Sequence, residues 1–137
     1  MRMLAVREHT RTELRRKLLG RHFQADAVEQ VLGELVEHGL LSDRRFVESY
    51  VNERMGKGFG PLRIKAELRD KGVDGDTAVA ALDVDDEVWM EVLARAHNKK
   101  FGSGPAASRA DMAKRARFLE YRGFSSAQVS RFLHFDD

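Results

Sequence analysis

Residues 57–72, KGFGPLRIKAELRDKG, place a lysine and two glycines directly before a helical pattern, as phosphate-binding loops do. A P-loop requires a lysine and then a serine or threonine immediately after its last glycine. Here Pro61 and Leu62 follow Gly60, and a helical rather than a strand pattern precedes the loop. Gly58 and Gly60 also lack the third glycine of a dinucleotide-binding fingerprint. The stretch therefore predicts a joint between two helices, without a nucleotide site.

The sequence also lacks a constellation of residues for catalysis or metal binding. Its five histidines are scattered, with no pair spaced i, i+4 and no matching carboxylate. The acids Asp85, Asp86 and Glu87 are consecutive, so they would point in different directions on a helix, and they suit a first turn stabilised by the helix dipole. Ser125 and Ser126 resemble helix caps. The chain has no cysteine, which excludes thiol nucleophiles, and we predict no catalytic residue, no metal and no cofactor.

The distribution of charge is the feature that points to a function. The chain has 24 Lys and Arg against 22 Asp and Glu, yet no cation falls between Lys71 and Arg95, where the acidic stretch 74–91 lies. The cations gather in other clusters, which suits a polyanion or a partner with charged bands of its own. Charged outer faces of ordinary helices are the alternative reading. The candidate contact residues are Arg15, Arg16, Arg54, Lys57, Arg63, Lys65, Arg69, Lys71, Lys114, Arg115, Arg117 and Arg122.

Apolar residues recur at helical spacing almost throughout the chain, and no comparable alternating segment predicts a strand. Residues 28–36, for example, carry valine or leucine at the i, i+3, i+4, i+7 and i+8 positions of one buried face. Most aromatic residues fall in these stripes and are predicted to pack in the core. Phe59 and Phe101 instead lie in loops, where a base, a partner or a neighbouring helix would cover them. The predicted helices lie near residues 2–8, 11–20, 25–38, 43–55, 61–71, 75–83, 85–100, 108–122 and 126–134.

Capping residues mark several of these helix ends. Thr10-x-x-Glu13 has the form of a capping box, and Ser108-x-x-Asp111 has the same spacing with aspartate in the acidic position. Gly39 follows a helical pattern where a left-handed residue would end the helix. Pro61 suits the first helical position, because its missing N–H would have no partner within the helix.

The pattern repeats along the chain. Apolar residues stand again 50 positions after Leu14, Leu18 and Phe23. A further shift of 51 positions carries Leu68 and Val73 onto Leu119 and Phe124, which are also apolar. Each repeat is a helix, a middle helix, an apolar plug (Phe23, Val73 or Phe124) and a third helix. We predict an all-α fold of three tandem three-helix repeats, 1–40, 41–83 and 84–137, stacked into an elongated, curved, solenoid-like molecule. The candidate cations concentrate in the middle helices.

The sequence gives no indication of a membrane or secretory protein. No apolar stretch approaches the roughly 20 residues that a transmembrane helix requires. The first residues, MRMLAVREHTRTELRRK, lack the apolar region of a secretory signal. We therefore expect a cytoplasmic protein without a membrane partner, and nothing in the sequence predicts an obligate dimer, so we expect a monomer.

With these motifs assembled, the chain resembles the RecX regulators of the RecA recombinase. The resemblance rests on residues 40–72, LLSDRRFVESYVNERMGKGFGPLRIKAELRDKG, supported by RTELRRKLL at 11–19 and RFLEYRGFSSAQV at 117–129. It covers nearly the whole chain and is weakest over 83–108. The chain begins later than most members do, so contacts made by a leading arm would be absent. The matching signature residues are Asp43, Phe46, Tyr50, Arg54, Gly58, Gly60, Pro61, Ile64, Leu68 and Gly72.

The resemblance implies a regulator without catalytic activity, built from three tandem three-helix repeats. It implies binding to the RecA filament on single-stranded DNA and inhibition of the ATPase, strand-exchange and coprotease activities, with roles in DNA recombination, DNA repair and the SOS response. Weak, non-specific contact with single-stranded DNA is a further implication. Two other functions stay open at this point: a stand-alone DNA-binding module that needs no RecA, and a helical scaffold that binds neither.

Overall fold

The structure is a computed structural model that describes residues 8–134, and this part of the chain forms eight α-helices and no strand. Every described helix begins and ends within one residue of its predicted position. The helix predicted near residues 2–8 lies almost entirely outside the described part. The helices are α1 (Arg11–Gly20), α2 (Ala25–Glu37), α3 (Asp43–Gly56), α4 (Pro61–Asp70), α5 (Gly75–Leu82), α6 (Asp86–Phe101), α7 (Arg109–Tyr121) and α8 (Ser126–Leu133).

The helices begin where the capping residues predict. The hydroxyl of Thr10 accepts a hydrogen bond from the backbone N–H of Glu13, and the Glu13 carboxylate accepts one from the N–H of Thr10, which completes the predicted capping box. Ser108 caps α7 by accepting from the N–H of Asp111. The Asp111 carboxylate does not return to Ser108 but accepts from the N–H of Ala107, one residue earlier.

The repeat is visible in the backbone at the end of each middle helix, α1, α4 and α7. The residue that leaves each of these helices has a left-handed conformation, with φ of 69° at His22, 83° at Gly72 and 104° at Gly123. These three positions are 50 and 51 residues apart, the same offsets that relate the apolar positions of the repeat. The tandem three-helix organisation is therefore confirmed in a property that side-chain patterning does not determine. We call the residues around each of these positions a C-terminal turn.

The described residues divide into two compact units. The first comprises residues 8–50 and 67–81, and the second comprises residues 51–66 and 82–134, so α3 and α4 contribute residues to both. The core of the first unit is a cluster of leucine and valine from α1, α2 and the following loop. These core residues are Leu14, Leu18, Val28, Leu32, Leu35 and Leu41.

The second unit has its own core, formed mainly by α6, α7 and α8. Trp89, Val92 and Leu93 on α6 are buried, as the helical spacing predicts, and the indole N–H of Trp89 donates to the backbone oxygen of Leu82. Leu119 on α7 and Val129 on α8 are completely buried. The buried guanidinium group of Arg115 also belongs to this unit.

Two apolar residues of the first repeat are more exposed than their patterns predict. Val36, on the predicted buried face of α2, is 42% exposed. Phe23, the predicted apolar plug, is 56% exposed, whereas its counterparts Val73 and Phe124 are 5% and 1% exposed. Phe23 therefore does not plug a core among the described residues, although it follows the same pattern as the residues that do.

Candidate partner-binding surface

The signature residues of α3 and α4 form the framework of the site. Ile64 and Leu68 on α4 are completely buried, in agreement with their place on its apolar face. Asp43, at the start of α3, accepts a hydrogen bond from the backbone N–H of Arg11 at 2.7 Å. Phe46 and Tyr50 stack with ring centroids 5.5 Å apart, and the Tyr50 hydroxyl donates to Glu67 at 2.9 Å. These contacts fix the position of α4, which carries three of the candidate contact cations, Arg63, Lys65 and Arg69.

In the first unit, the start of α1 contacts the C-terminal turn of α4. The Thr10 hydroxyl, while capping α1, also donates to the backbone oxygen of Lys71 at 2.9 Å. Thr12 lies so close to Gly72 that a Cβ atom on this glycine would come within 2.3 Å of the Thr12 hydroxyl oxygen. The approach explains the glycine of the signature, because any side chain at position 72 would overlap α1 in addition to straining the backbone.

In the second unit, the start of α4 makes the corresponding contact with the C-terminal turn of α7. The N–H of Gly60 donates to the backbone oxygen of Arg122 at 2.8 Å, and the N–H of Leu62 donates to Gly123 at 2.9 Å. A Cβ atom on Gly60 would lie 2.5 Å from the carbonyl carbon of Gly123. The stretch that resembles a phosphate cradle thus directs its N–H groups at a neighbouring turn of the same chain.

The loop before α4 holds a cluster of arginine and aromatic side chains. Three guanidinium groups lie over the half-buried ring of Phe59, with their central carbons 3.9 Å (Arg54), 4.6 Å (Arg63) and 4.5 Å (Arg122) from its centroid. Arg122 also donates to the backbone oxygen of Lys57 at 3.1 Å. Since guanidinium groups stack favourably on aromatic rings, Phe59 organises these cations by cation–π contact.

The predicted contact residues differ widely in exposure. Arg15 is half-buried and donates to Glu29 at 2.6 Å, and this bond lowers the pKa of the Glu29 carboxyl. Lys71 is also half-buried, with its ammonium group 3.4 Å from Glu13. Arg54, Arg63 and Arg122 are half-buried in the cluster around Phe59. The exposed candidates are Arg16, Lys57, Lys65, Arg69, Lys114 and Arg117.

Arg115 does not belong to an exposed surface, which corrects its inclusion among the contact residues. It is 8% exposed and donates to the backbone oxygens of Gly104 and Pro105 at 2.8 and 3.4 Å. It also pairs with Asp111 at 3.1 Å. The loop between α6 and α7 is thus bonded to α7 through a buried guanidinium group. We leave Arg115 out of the proposed contact set.

Part of the acidic stretch 74–91 is used within the fold. Asp86 and Glu87 at the start of α6 both pair with Arg131 on α8. Asp74 precedes α5 and accepts hydrogen bonds from the N–H and the hydroxyl of Thr77, at 2.8 and 2.9 Å. These carboxylates therefore cap and join helices, and Asp86 and Glu87 lie in a first turn, as the sequence predicts for them.

The Asp74 bonds predict a pH dependence of stability. The N–H of Thr77 lowers the pKa of the Asp74 carboxyl below its ordinary value. A carboxyl with a lowered pKa in the folded state stabilises the fold above its unfolded pKa, about 4, and loses that contribution as the pH falls through the folded value. We expect Asp74→Asn to be less stable than the parent at neutral pH, with the difference disappearing in acid. Urea unfolding across the acid range measures it, and Asp83→Asn controls for net charge.

Neither a membrane span nor a metal centre is found in the part of the chain that the structure describes. Between residues 8 and 134, no helix is long and apolar enough to cross a bilayer. Within the same residues, no three histidine or acidic side chains are grouped so that they could hold a metal ion.

The sequence reasoning missed one residue of this surface, Tyr121, the last residue of α7. The residue is 75% exposed, and its ring lies against Arg63, whose guanidinium carbon is 5.1 Å from the ring centroid. Helical spacing predicts that most aromatic residues pack in the core, but Tyr121 lies at the repeat position held by Asp70 and Gly20. Because this position is polar or small in the other repeats, the repeat alignment could have indicated that the ring is exposed.

Three family models match the chain in order. They are described as the first three-helix domain of RecX, at residues 1–35, the second, at residues 42–82, and the third, at residues 86–133. Among similar proteins, the regulatory protein RecX of Pseudomonas fluorescens Pf-5 is 41% identical over 97% of this chain and 86% of its own length. That of Halorhodospira halophila is 40% identical over 94% of this chain and 80% of its own length.

Solved structures agree with these sequence matches. The crystal structure of RecX from Lactobacillus salivarius superposes with a TM-score of 0.82 at 26% identity, covering 97% of this chain and 88% of that one. A second crystal structure of a regulatory protein RecX gives a TM-score of 0.79, also at 26% identity, covering 98% and 67%. The fold and its repeated turns define a protein of tandem three-helix domains. The chain belongs to the RecX family of regulatory proteins.

Proposed function

We propose that this protein acts in the cytoplasm as a negative regulator of the RecA recombinase. It binds the RecA filament on single-stranded DNA and inhibits the ATPase, strand-exchange and coprotease activities of that filament. Membership of the RecX family supports the proposal. The observation that carries the contact assignment is that each middle helix bears exposed cations not required by a core. These are Arg16 on α1, Lys65 and Arg69 on α4, and Lys114 and Arg117 on α7.

The exposed cations would act by electrostatic complementarity to an acidic filament surface or to DNA phosphate. Lys65 and Arg69 are exposed, one turn apart on α4, while the helix is held in place by buried Ile64 and Leu68. Arg63 is different, because it stacks on Phe59 and Tyr121 and donates to the Tyr121 backbone oxygen at 3.3 Å. Replacing Arg63 would disturb packing as well as charge.

The test is therefore a double charge reversal, Lys65→Glu with Arg69→Glu. We expect about 10-fold more of this variant to be needed for half-inhibition of RecA ATPase on single-stranded DNA, because two attractive contacts become repulsive. The matched control is Arg95→Glu with Lys99→Glu, which makes the same charge change at the same spacing on α6, where both residues are also exposed. We expect the control variant to inhibit as the parent does.

Different results test the proposed function and the assignment of Lys65 and Arg69 as contact residues. If the parent fails to inhibit RecA ATPase on single-stranded DNA at any concentration, the proposed function is wrong. Parent-like inhibition by the folded α4 variant would remove Lys65 and Arg69 from the contact set. An equal loss in both double variants would mean that net charge, rather than the position of the cations on α4, determines binding.

A further inference from the structure

Rings and guanidinium groups alternate in a stack within the second unit. Arg122 lies over Phe118, 5.2 Å from its centroid, and over Phe59 at 4.5 Å. Arg63 lies over Phe59 at 4.6 Å and over Tyr121 at 5.1 Å. These contacts alternate ring, cation, ring, cation, ring, from Phe118 to Tyr121, and Arg54 also lies over Phe59 at 3.9 Å. Each planar group in this series has a planar neighbour, and the series ends at Tyr121.

The stack is open at its Tyr121 end. Arg63 covers one face of the Tyr121 ring, yet the residue is 75% exposed, the highest value among the exposed large apolar and aromatic residues. Arg63 also donates to the Tyr121 backbone oxygen at 3.3 Å, so one arginine contacts both the backbone and the ring of this residue. An exposed ring that a cation covers on one face is a surface on which another planar group can continue the stack.

The charge around this ring selects the kind of planar group. Arg117 is exposed and lies one helical turn before Tyr121 on α7, where it projects from the same side of the helix. Arg63 and Arg122 supply two further positive charges within the stack itself. These positive charges disfavour the binding of another guanidinium group at the ring. They favour the binding of a planar group that carries a negative charge. A nucleobase joined to its phosphate has both properties.

The arrangement is specific to the third repeat. Tyr121 corresponds to Asp70 in the second repeat and to Gly20 in the first. An aspartate would repel phosphate and a glycine offers no ring. A general role in holding the repeats together would require a ring at all three positions, whereas a local binding role requires it at one.

We propose that Tyr121 is a stacking platform for one base of a single-stranded nucleic acid, with Arg117 contacting a phosphate of the same strand. The site deepens the proposed function by giving it a direct nucleic-acid contact. Binding is measured on this chain alone, without RecA, so its failure is distinguishable from failure of RecA inhibition. Stacking on an aromatic ring is tolerant of base identity, and no sequence preference is expected.

The experiment measures fluorescence anisotropy of a labelled oligothymidylate of about 20 nucleotides, several times the length of one such contact. We expect Tyr121→Ala to bind about 10-fold more weakly than the parent, and Tyr121→Phe to bind as the parent does, because the ring carries the contact. A strand of equal length without bases separates stacking from charge. On this abasic strand, we expect Tyr121→Ala and the parent to bind equally.

Two further variants sharpen the test. Phe23→Ala removes another exposed ring, 56% exposed, from the first unit and should leave binding unchanged. Arg117→Ala should weaken binding to both strands and reduce the slope of log K against log salt by about one, whereas Tyr121→Ala should leave that slope unchanged. Circular dichroism establishes that each variant keeps the helical content of the parent.

Several results would overturn the assignment of Tyr121. Parent-like binding of oligothymidylate by Tyr121→Ala would show that no base stacks there. An equal loss on the normal and abasic strands would show a contact that does not involve a base. Loss of RecA inhibition with unchanged DNA binding would assign the ring to a protein partner instead. Absence of binding by the parent at low salt would remove the site altogether.

Discussion

Gly123→Ala is expected to lower the free energy of unfolding of the second unit by about 3 kcal/mol. Two effects contribute. With φ at 104°, the backbone of Gly123 adopts a conformation that costs an alanine about 1–2 kcal/mol. The added Cβ atom would also lie 2.4 Å from Cβ of Arg63 and 2.7 Å from its backbone nitrogen, an overlap of the kind that costs about 1–3 kcal/mol.

Two other glycines separate these contributions. Gly102 has φ of 82° and ψ of 176°, a conformation that is essentially restricted to glycine, but open space around its missing side chain, so Gly102→Ala should show a backbone cost alone, about 1–3 kcal/mol. Gly60 is not in the left-handed region, yet its Cβ atom would meet the Gly123 carbonyl at 2.5 to 2.6 Å. Gly60→Ala should therefore show the steric cost alone. Denaturant unfolding of the three variants measures each effect, and parent-like stability of Gly60→Ala would contradict the close approach.

The turn at Gly123 also affects the orientation of α4, because the start of α4 packs directly against it. The N–H groups of Gly60 and Leu62 bond to this turn, and α4 begins there with Pro61. Arg63 is the next residue to emerge from the joint, directly between Phe59 and Tyr121. A strained turn would thus move Arg63 together with the aromatic stack that surrounds it. Glycine at this position links the packing of the repeat to the geometry of its cationic surface.

The helix boundaries can be predicted from sequence because the determinants are local. Thr10-x-x-Glu13, Ser108 and Pro61 act within one turn of the helix they start, so their effects need no knowledge of the rest of the fold. The repeat can also be predicted, since the apolar spacing recurs at a fixed offset. The left-handed residues at the ends of the middle helices recur at the same offsets, 50 and 51 residues.

The environment of individual side chains cannot be predicted in the same way. Phe23 and Phe124 occupy equivalent positions, but one is exposed and the other is buried, because periodicity defines a face without defining what covers it. Gly72 and Gly123 are each met by the start of another middle helix, whereas among residues 8–134 no hydrogen bond joins the turn at His22 to such a helix start. Lys114 and Arg115 are adjacent cations in the sequence, yet only Arg115 is buried.

Arg115→Met is expected to destabilise the second unit by about 2 kcal/mol. The guanidinium group donates to Gly104 and Pro105 in the loop between α6 and α7, and it lies 3.3 Å from Nε2 of His97. Because a guanidinium only donates, this histidine nitrogen must accept, which leaves the proton on Nδ1 to donate to Asn98 at 2.8 Å. Methionine would fill the space while leaving the loop oxygens, His97 and Asp111 without their common donor.

The size of the loss follows from the exposure of the partners. Removing one member of a fully buried pair costs about 3–5 kcal/mol, but the Asp111 side chain is 26% exposed and water can replace part of the lost bond. The Nε atom of Arg115 also has no hydrogen-bond partner among the described residues, and its release offsets some of the loss. These two considerations place the expected effect below that of a fully satisfied buried pair.

The neighbouring lysine provides the control for Arg115. Lys114→Met removes the same charge from the adjacent, exposed position and should change stability by less than about 0.5 kcal/mol. In the double variant Arg115→Met with Asp111→Asn, part of the loss should be recovered, because the carboxylate no longer lacks its partner. Urea unfolding of these variants measures the coupling. Equal stability of Arg115→Met and Lys114→Met would mean that the buried guanidinium does not hold the loop against α7.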